Sequence, residues 1–173
     1  RVFKRVQDMS NTKEVGCYHT YALRTVGYKE RLQFIEHCLE QNKGKNGLLI
    51  IDGIADLVSD VNNLEESNLC VQKIMQLSAK YDCHIVTVIH SNYGSDKPTG
   101  HLGSFLEKKT ETQIQLEVNT VNKEWITVSC KRSRGYAFDT FSFSINEFGL
   151  PFVVGEIYDP LEYFVPRTLT PNK

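Results

Sequence analysis

Gly47-Leu48-Leu49-Ile50-Ile51-Asp52-Gly53 is the stretch that decides the fold. Four apolar residues in unbroken succession, too few for a helix and closed by Asp-Gly, have the pattern of a strand buried on both faces of a parallel sheet. A second run, His84-Ile85-Val86-Thr87-Val88-Ile89, is β-branched in the same way and ends in His90-Ser91-Asn92. Between them, from Ser59 to Lys80, Leu69, Ile74, Met75 and Leu77 recur among Asn68, Gln72, Lys73 and Gln76. That spacing predicts an amphipathic helix, with N-cap candidates in Ser59-Asp60-Val61-Asn62-Asn63. Upstream, Leu32, Ile35 and Leu39 mark another helix from Tyr28 to Gln41, stopped by Asn42-Lys43-Gly44-Lys45-Asn46-Gly47. A short strand over Cys17 to Val26 and a helical stub near residues 1 to 8 complete this side. Strand, helix, strand, helix, strand is the order of βαβ crossovers and a parallel sheet.

Downstream the pattern changes. Asn92 to Gly103, NYGSDKPTGHLG, is rich in Gly, Ser, Asp and Pro and reads as a surface loop of a length more often functional than idle. Ser104 to Lys109 suits one or two helical turns. Thr112 to Val118, Trp125 to Cys130 and Phe138 to Ile145 then alternate with the period of two expected of antiparallel strands. Asn119 to Lys123 and Arg134 to Ala137 are the expected turns. The segment from Pro151 to Lys173 holds four of the five prolines and reads as mostly extended, packing on a neighbour. Residues 1–151 are therefore taken as one domain and 152–173 as an extended tail.

Composition fits one ordinary globular domain, because 40% of the 173 residues are hydrophobic and 24% charged. A chain of this length can hold together on a conventional core without disulfides. The formal net charge of -1 argues against a protein that coats nucleic acid all over and leaves room for local basic patches. Apolar runs fall far short of the roughly 20 residues that span a bilayer, and no charged-then-apolar leader opens the sequence. The expectation is a cytoplasmic protein with no membrane partner. Five cysteines, Cys17, Cys38, Cys70, Cys83 and Cys130, stand singly with no C-x-x-C, as reduced thiols would. His19, His37, His84 and His101 share no metal-ligand spacing.

Few residues invite chemistry. Asp52 ends a predicted parallel strand, where open α/β sheets bind ligands and where a carboxylate can hold the magnesium that bridges nucleotide phosphates. A strand-end aspartate that merely caps its loop would look the same. His90 ends the next strand, and its imidazole can donate to a phosphate oxygen or simply be satisfied by backbone. Lys131-Arg132-Ser133-Arg134-Gly135 is the densest basic cluster, which suits a solvated turn, an arginine offered to phosphates, or a nucleic-acid patch. Lys97, His101, Lys108 and Lys109 lie on or beside the long loop, and Tyr93 adds a face on which a base can stack.

Taken together, GLLIIDGIADLVSDVN at 47–62, IVTVIHSN at 85–92, GHLGS at 100–104 and KRSRG at 131–135 resemble the RecA-like ATPase core of the hexameric helicase superfamily. The branch is that of plasmid RepA-type replicative helicases and their relatives on bacterial mobile elements, over residues 1 to 151. The resemblance implies an α/β RecA-like fold, a parallel central sheet with flanking helices that continues into antiparallel strands at its carboxyl-terminal side. It implies that Asp52 corresponds to the Walker B aspartate engaging Mg2+ and that His90 is the sensor of the terminal phosphate of ATP. Asn92 to Gly103 corresponds to the central-pore loop, where Tyr93, Lys97 and His101, with Lys108, Lys109 and Arg132 nearby, would meet single-stranded DNA. Lys131 and Arg134 correspond to the basic pair that reaches a neighbouring subunit in a homo-oligomeric ring, a hexamer in this family.

Two departures qualify that match. No G-x-x-x-x-G-K-[ST] occurs in the chain, so the phosphate cradle is missing. Together with a start at Arg1 lacking an initiator Met, this suggests a fragment, inactive alone, whose P-loop and catalytic glutamate lie upstream. Related helicases also often space the trans residues as Lys-x-Arg-x-Gly, whereas here Ser133 takes the middle place and leaves open which arginine acts. The expected function is a Mg-ATP-dependent DNA motor in replication or transfer of a plasmid or transposon. The alternatives are a non-catalytic DNA-binding or assembly subunit on the same scaffold, or an ATP-binding switch that regulates a partner.

Overall fold

The computed structural model describes residues 4, 5, 7, 8 and 18–155. The chain divides into two compact units, one comprising His19–Thr110 and the other joining Arg1–Tyr18 to Glu111–Lys173. The first holds α1 (Tyr28–Gln41), β1 (Leu48–Asp52), a 3-10 turn (Ile54–Leu57), α2 (Leu64–Tyr81), β2 (His84–Val88) and α3 (Gly100–Lys109). The second holds β3 (Thr112–Val118), β4 (Ile126–Ser133), β5 (Phe141–Ile145) and β6 (Pro151–Val154), and residues 4, 5, 7 and 8 are helical.

β1 and β2 pair in parallel, in register from Leu48 opposite His84 to Asp52 opposite Val88. Parallel neighbours need a crossover, and α2 supplies it. Its start is fixed by Asn63, whose side chain accepts from the Glu66 backbone N–H at 3.0 Å, and Glu65 and Glu66 offset the positive end of the helix. Asn63 is the last of the five N-cap candidates, and the Glu66 carboxylate reaches back over the earlier ones. It accepts from the Ser59 hydroxyl at 2.6 Å and the Ser59 N–H at 3.1 Å, holding 59–62 out as a turn. At the other end Asp82 takes a left-handed φ of 48° and closes the helix.

The core lies on one side of the two strands. Ile35 and Leu39 of α1, Cys70, Val71, Ile74 and Leu77 of α2, and Leu102 and Leu106 of α3 form one buried cluster with Ile51, Ile54 and Leu57. Leu49 and Ile85 pack against it. The opposite side is uncovered: Leu48, Ile50, Val86 and Val88 are 58%, 56%, 40% and 41% exposed. Burial of the first strand on both faces, as its apolar run suggested, is therefore corrected to burial on one, since every helix of this unit packs on the same side.

Three further expectations need revision. Residues 18–26 form no strand; they run irregularly into a turn closed by Val26 N–H on the Leu23 carbonyl at 3.0 Å, while Cys17 lies outside the described residues. The parallel sheet accordingly has two strands among the described residues. The antiparallel strands form a separate sheet, ordered β3-β4-β5-β6, rather than a continuation of the first. Finally, Gly100 to Gly103 belong to α3, not to the loop. Gly100 adopts φ +68°, and a Cβ there would lie 2.6 Å from the Val61 carbonyl oxygen, so only glycine lets the helix start against that neighbour.

The alternation over 112–145 does give antiparallel strands, and Pro151–Val154 adds a fourth where the extended tail was expected to begin. Residues 156–173 lie outside the described residues. Cys70 and Cys83 are buried free thiols, and Cys38 and Cys130 are half-buried. No helix among the described residues is long and apolar enough to cross a membrane.

Two outcomes follow for stability. Leu77 is 1% exposed, so Leu77→Ala should cost about 3 kcal/mol in urea unfolding. Glu36 is held below the usual carboxylate range by hydrogen bonds from Lys73 and Lys80, and Glu66 by the Ser59 hydroxyl. Lowered folded values mean stability that is present above the ordinary carboxylate range and lost as pH falls through the folded values. The urea midpoint should drop from about pH 5 downward, and Glu66→Gln should flatten that dependence.

Candidate functional site

A parallel register carries both strands out of the sheet at one end. Asp52 closes β1 opposite Val88, and His90 follows β2 by two residues, so the two side chains of greatest chemical interest emerge at the same carboxyl edge. Both are exposed. None of the ion pairs among the described residues involves Asp52.

The chain after Asp52 is tied down at once. Its peptide bond to Gly53 is cis, and Ile54 and Leu57 of the 3-10 turn plug into the core at 0% and 6% exposure. Arg31, from the first turn of α1, braces this turn from outside. Its guanidinium donates to the Asp56 carbonyl at 2.9 Å and to the Leu23 and Val26 carbonyls at 3.1 and 2.8 Å. The Asp56 carboxylate stands 3.5 Å away as a partial counter-charge. Nothing in the sequence pattern singled out Arg31, because three backbone acceptors leave no residue signature.

His90 roots the following loop. Its carbonyl accepts both the Thr99 N–H at 3.1 Å and the Thr99 hydroxyl at 2.8 Å. Beyond it, Ser91 bridges Pro98 in antiparallel fashion and Asn92 N–H meets the Lys97 carbonyl at 2.9 Å, so residues 91–98 form a short finger instead of an open loop. Tyr93 and Gly94 are at its tip, Tyr93 wholly solvent-exposed and Gly94 at φ +69°. Asp96 precedes Lys97, which leaves the tip without net charge, so a strand held there would rely on stacking over Tyr93 more than on cations. The base is clamped to the core: Leu102 N–H bonds the Val61 carbonyl at 3.0 Å, and Gly103 packs so close to Pro98 that a Cβ would lie 2.6 Å from it.

The remaining candidates separate. His101 is exposed in the first turn of α3, beside the finger's base. Lys108 and Lys109 stand in the last turn, about 11 Å further along the axis. There they offset the negative end of the helix. Lys131, Arg132 and Arg134 belong to the second unit. Gln113 pairs with Arg132 and Ile114 with Cys130, so Lys131 is the extra residue of a β-bulge, a device that re-aims a side chain. Arg134 follows β4 with its N–H on the Glu111 carbonyl at 3.0 Å. Ser133 holds this turn through its hydroxyl, which accepts from Gly135 N–H at 3.2 Å and lies 3.4 Å from the Thr112 hydroxyl.

Among the described residues no group of three or more His, Cys, Asp or Glu stands where it could hold a metal ion by itself. A single exposed carboxylate such as Asp52 can hold Mg2+ only together with phosphate and water ligands, which is the ordinary habit of that ion. Compared with known proteins, the chain matches no family model and no curated sequence.

Thr99→Val keeps the shape of the side chain and removes one of the two bonds on the His90 carbonyl. The expected loss is about 1 kcal/mol, felt locally, and chymotryptic cleavage after Tyr93 should quicken several-fold. An unchanged cleavage rate would show that Thr99 does not hold the finger.

Proposed function

We propose that this chain is part of a magnesium-dependent ATPase of the RecA-like kind that acts on single-stranded DNA as a ring of subunits, in replication or transfer of a plasmid or mobile element. The observation that supports it is the shared carboxyl edge of β1 and β2. Asp52 and His90 emerge there together, and a finger tipped by Tyr93 is rooted on the His90 carbonyl. In this reading Asp52 holds Mg2+ with nucleotide phosphates and water completing its shell, and the ion offsets charge on those phosphates. His90 donates to a terminal phosphate oxygen. Any shift of its backbone is passed through Thr99 to the finger, where Tyr93 stacks a base and Lys97 and His101 contact the DNA backbone. Lys131, re-aimed by its bulge, or Arg134 offers positive charge to the phosphates of a neighbouring subunit. Lys108, Lys109 and Arg132 add to the positive field around the strand.

A second reading is favoured by the missing G-x-x-x-x-G-K-[ST]. In it the same scaffold binds DNA or assembles partners without hydrolysis. Its DNA affinity would be insensitive to ATP and would weaken with salt.

The test is ATP hydrolysis by the product of the whole reading frame that contains these residues, with and without single-stranded DNA, beside Asp52→Ala. DNA-stimulated turnover that Asp52→Ala abolishes is the expected result. Turnover untouched by the substitution would remove Asp52 from the chemistry, and DNA binding without turnover would promote the scaffold reading.

A further inference from the structure

The antiparallel sheet ends on an unguarded strand. Among the described residues β3 is the first strand of the order β3-β4-β5-β6, with a neighbour on one side. Natural sheets blunt such an edge with Lys, Pro, a bulge or a short strand, because its outward N–H and C=O groups are a template for another chain. β6, at the other edge, has four residues and opens on Pro151. β3 has seven, Thr112-Gln113-Ile114-Gln115-Leu116-Glu117-Val118, with neither Lys nor Pro, and the bulge beside it is carried by β4. Ile114, Leu116 and Val118 are 52%, 60% and 63% exposed.

The ladder fixes which backbone groups point outward. Asn119 N–H donates to the Trp125 carbonyl at 2.9 Å, and the Glu111 carbonyl accepts from Arg134 N–H at 3.0 Å. Successive residues of a strand turn these groups to opposite sides, so the odd-numbered residues from 111 to 119 face β4. Thr112, Ile114, Leu116 and Val118 therefore turn theirs to the open edge. We infer that this edge pairs with a second copy of the chain, β3 against β3 in antiparallel fashion, about a two-fold axis at Gln115. That register sets Ile114 opposite the partner's Leu116 and Thr112 opposite the partner's Val118, and every outward N–H and C=O of both strands is then bonded. Opposite residues project to the same side, so apolar side chains meet apolar ones and Glu117 meets the partner's Gln113. Moving the axis to Ile114 or to Leu116 leaves Val118 or Thr112 without a strand partner, and the first shift also faces Glu117 with the partner's Glu111. Main-chain bonds carry this contact more than area does. A strand about 24 Å long in a sheet about 10 Å thick buries on the order of 250 Å² per copy, against about 800 Å² in a stable interface. The dimer is accordingly weak and concentration-dependent. A two-fold contact is also distinct from the head-to-tail contacts of a ring, and it does not rest on the ATPase reading.

Sedimentation equilibrium of the chain from about 10 µM to about 1 mM tests the pairing, and a reversible monomer–dimer equilibrium is expected. Leu116→Pro removes an outward donor that the β3-β4 ladder does not use. Gln115→Lys and Gln115→Glu each set like charges against one another at the axis. Each of the three should weaken association roughly tenfold or more, with far-ultraviolet circular dichroism unchanged. An equimolar mixture of Gln115→Lys and Gln115→Glu should recover it, because opposite charges then meet at the axis. A chain that stays monomeric throughout, or a dimer that these substitutions leave equally tight, would overturn the inference, and so would a mixture no tighter than its components.

Discussion

Three side chains that water does not reach hold the first unit together: Ile54 and Leu102 at 0% exposure and Leu77 at 1%. Each comes from a different element. Ile54 belongs to the turn that follows Asp52, Leu77 to the crossover helix between the two strands, and Leu102 to the helix that follows the finger. Burying a side chain of this size is worth about 1.5–3 kcal/mol, so each of these burials outweighs a surface ion pair in the unit. Their consequence is geometric. The segments leaving β1 and β2 at their carboxyl ends are both pinned to one core, by Ile54 two residues after Asp52 and by Leu102 beyond the finger that follows His90.

That arrangement separates a rigid base from an exposed tip. Arg31 ties the turn after Asp52, through the Asp56 carbonyl, to the Leu23 and Val26 carbonyls, and Thr99 closes the base of the finger twice on His90. Tyr93 and Gly94 project beyond both. A group held so that its backbone bonds to the root of a finger is well placed to couple the two, and a tip without net charge favours stacking over charge as the contact. Lys108 and Lys109 stand at the far end of the helix that follows the finger, in its last turn.

Much of this was legible in the sequence where periodicity is strong. The α1 and α2 patterns, the two β-branched runs and the alternation over 112–145 each gave the right element type. What escaped reading has physical causes. A continuous run such as Leu48 to Ile51 reports hydrophobicity but not which side is covered, and here one side is open. Which of the five N-cap candidates caps α2 was open in the sequence, and it is settled by Asn63 receiving the Glu66 N–H while the Glu66 carboxylate reaches back to Ser59. The start of α3 in a glycine-rich stretch depends on the close approach of Val61 to Gly100, which composition alone reads as loop. At the site, the strand-end positions of Asp52 and His90 followed from pattern. The roles of Thr99 and Arg31 did not, because both act through backbone carbonyls that every residue carries.

The central claim is that the carboxyl edge of β1 and β2 is a nucleotide-responsive site wired to the finger. Hydrogen exchange on the product of the whole reading frame, with and without Mg2+ and a non-hydrolysable ATP analogue, tests it most directly. The account predicts slowed exchange in peptides covering 52–57 and 90–99 together, lost in Asp52→Ala; unchanged exchange in both, under conditions where the nucleotide is shown to bind, would contradict it.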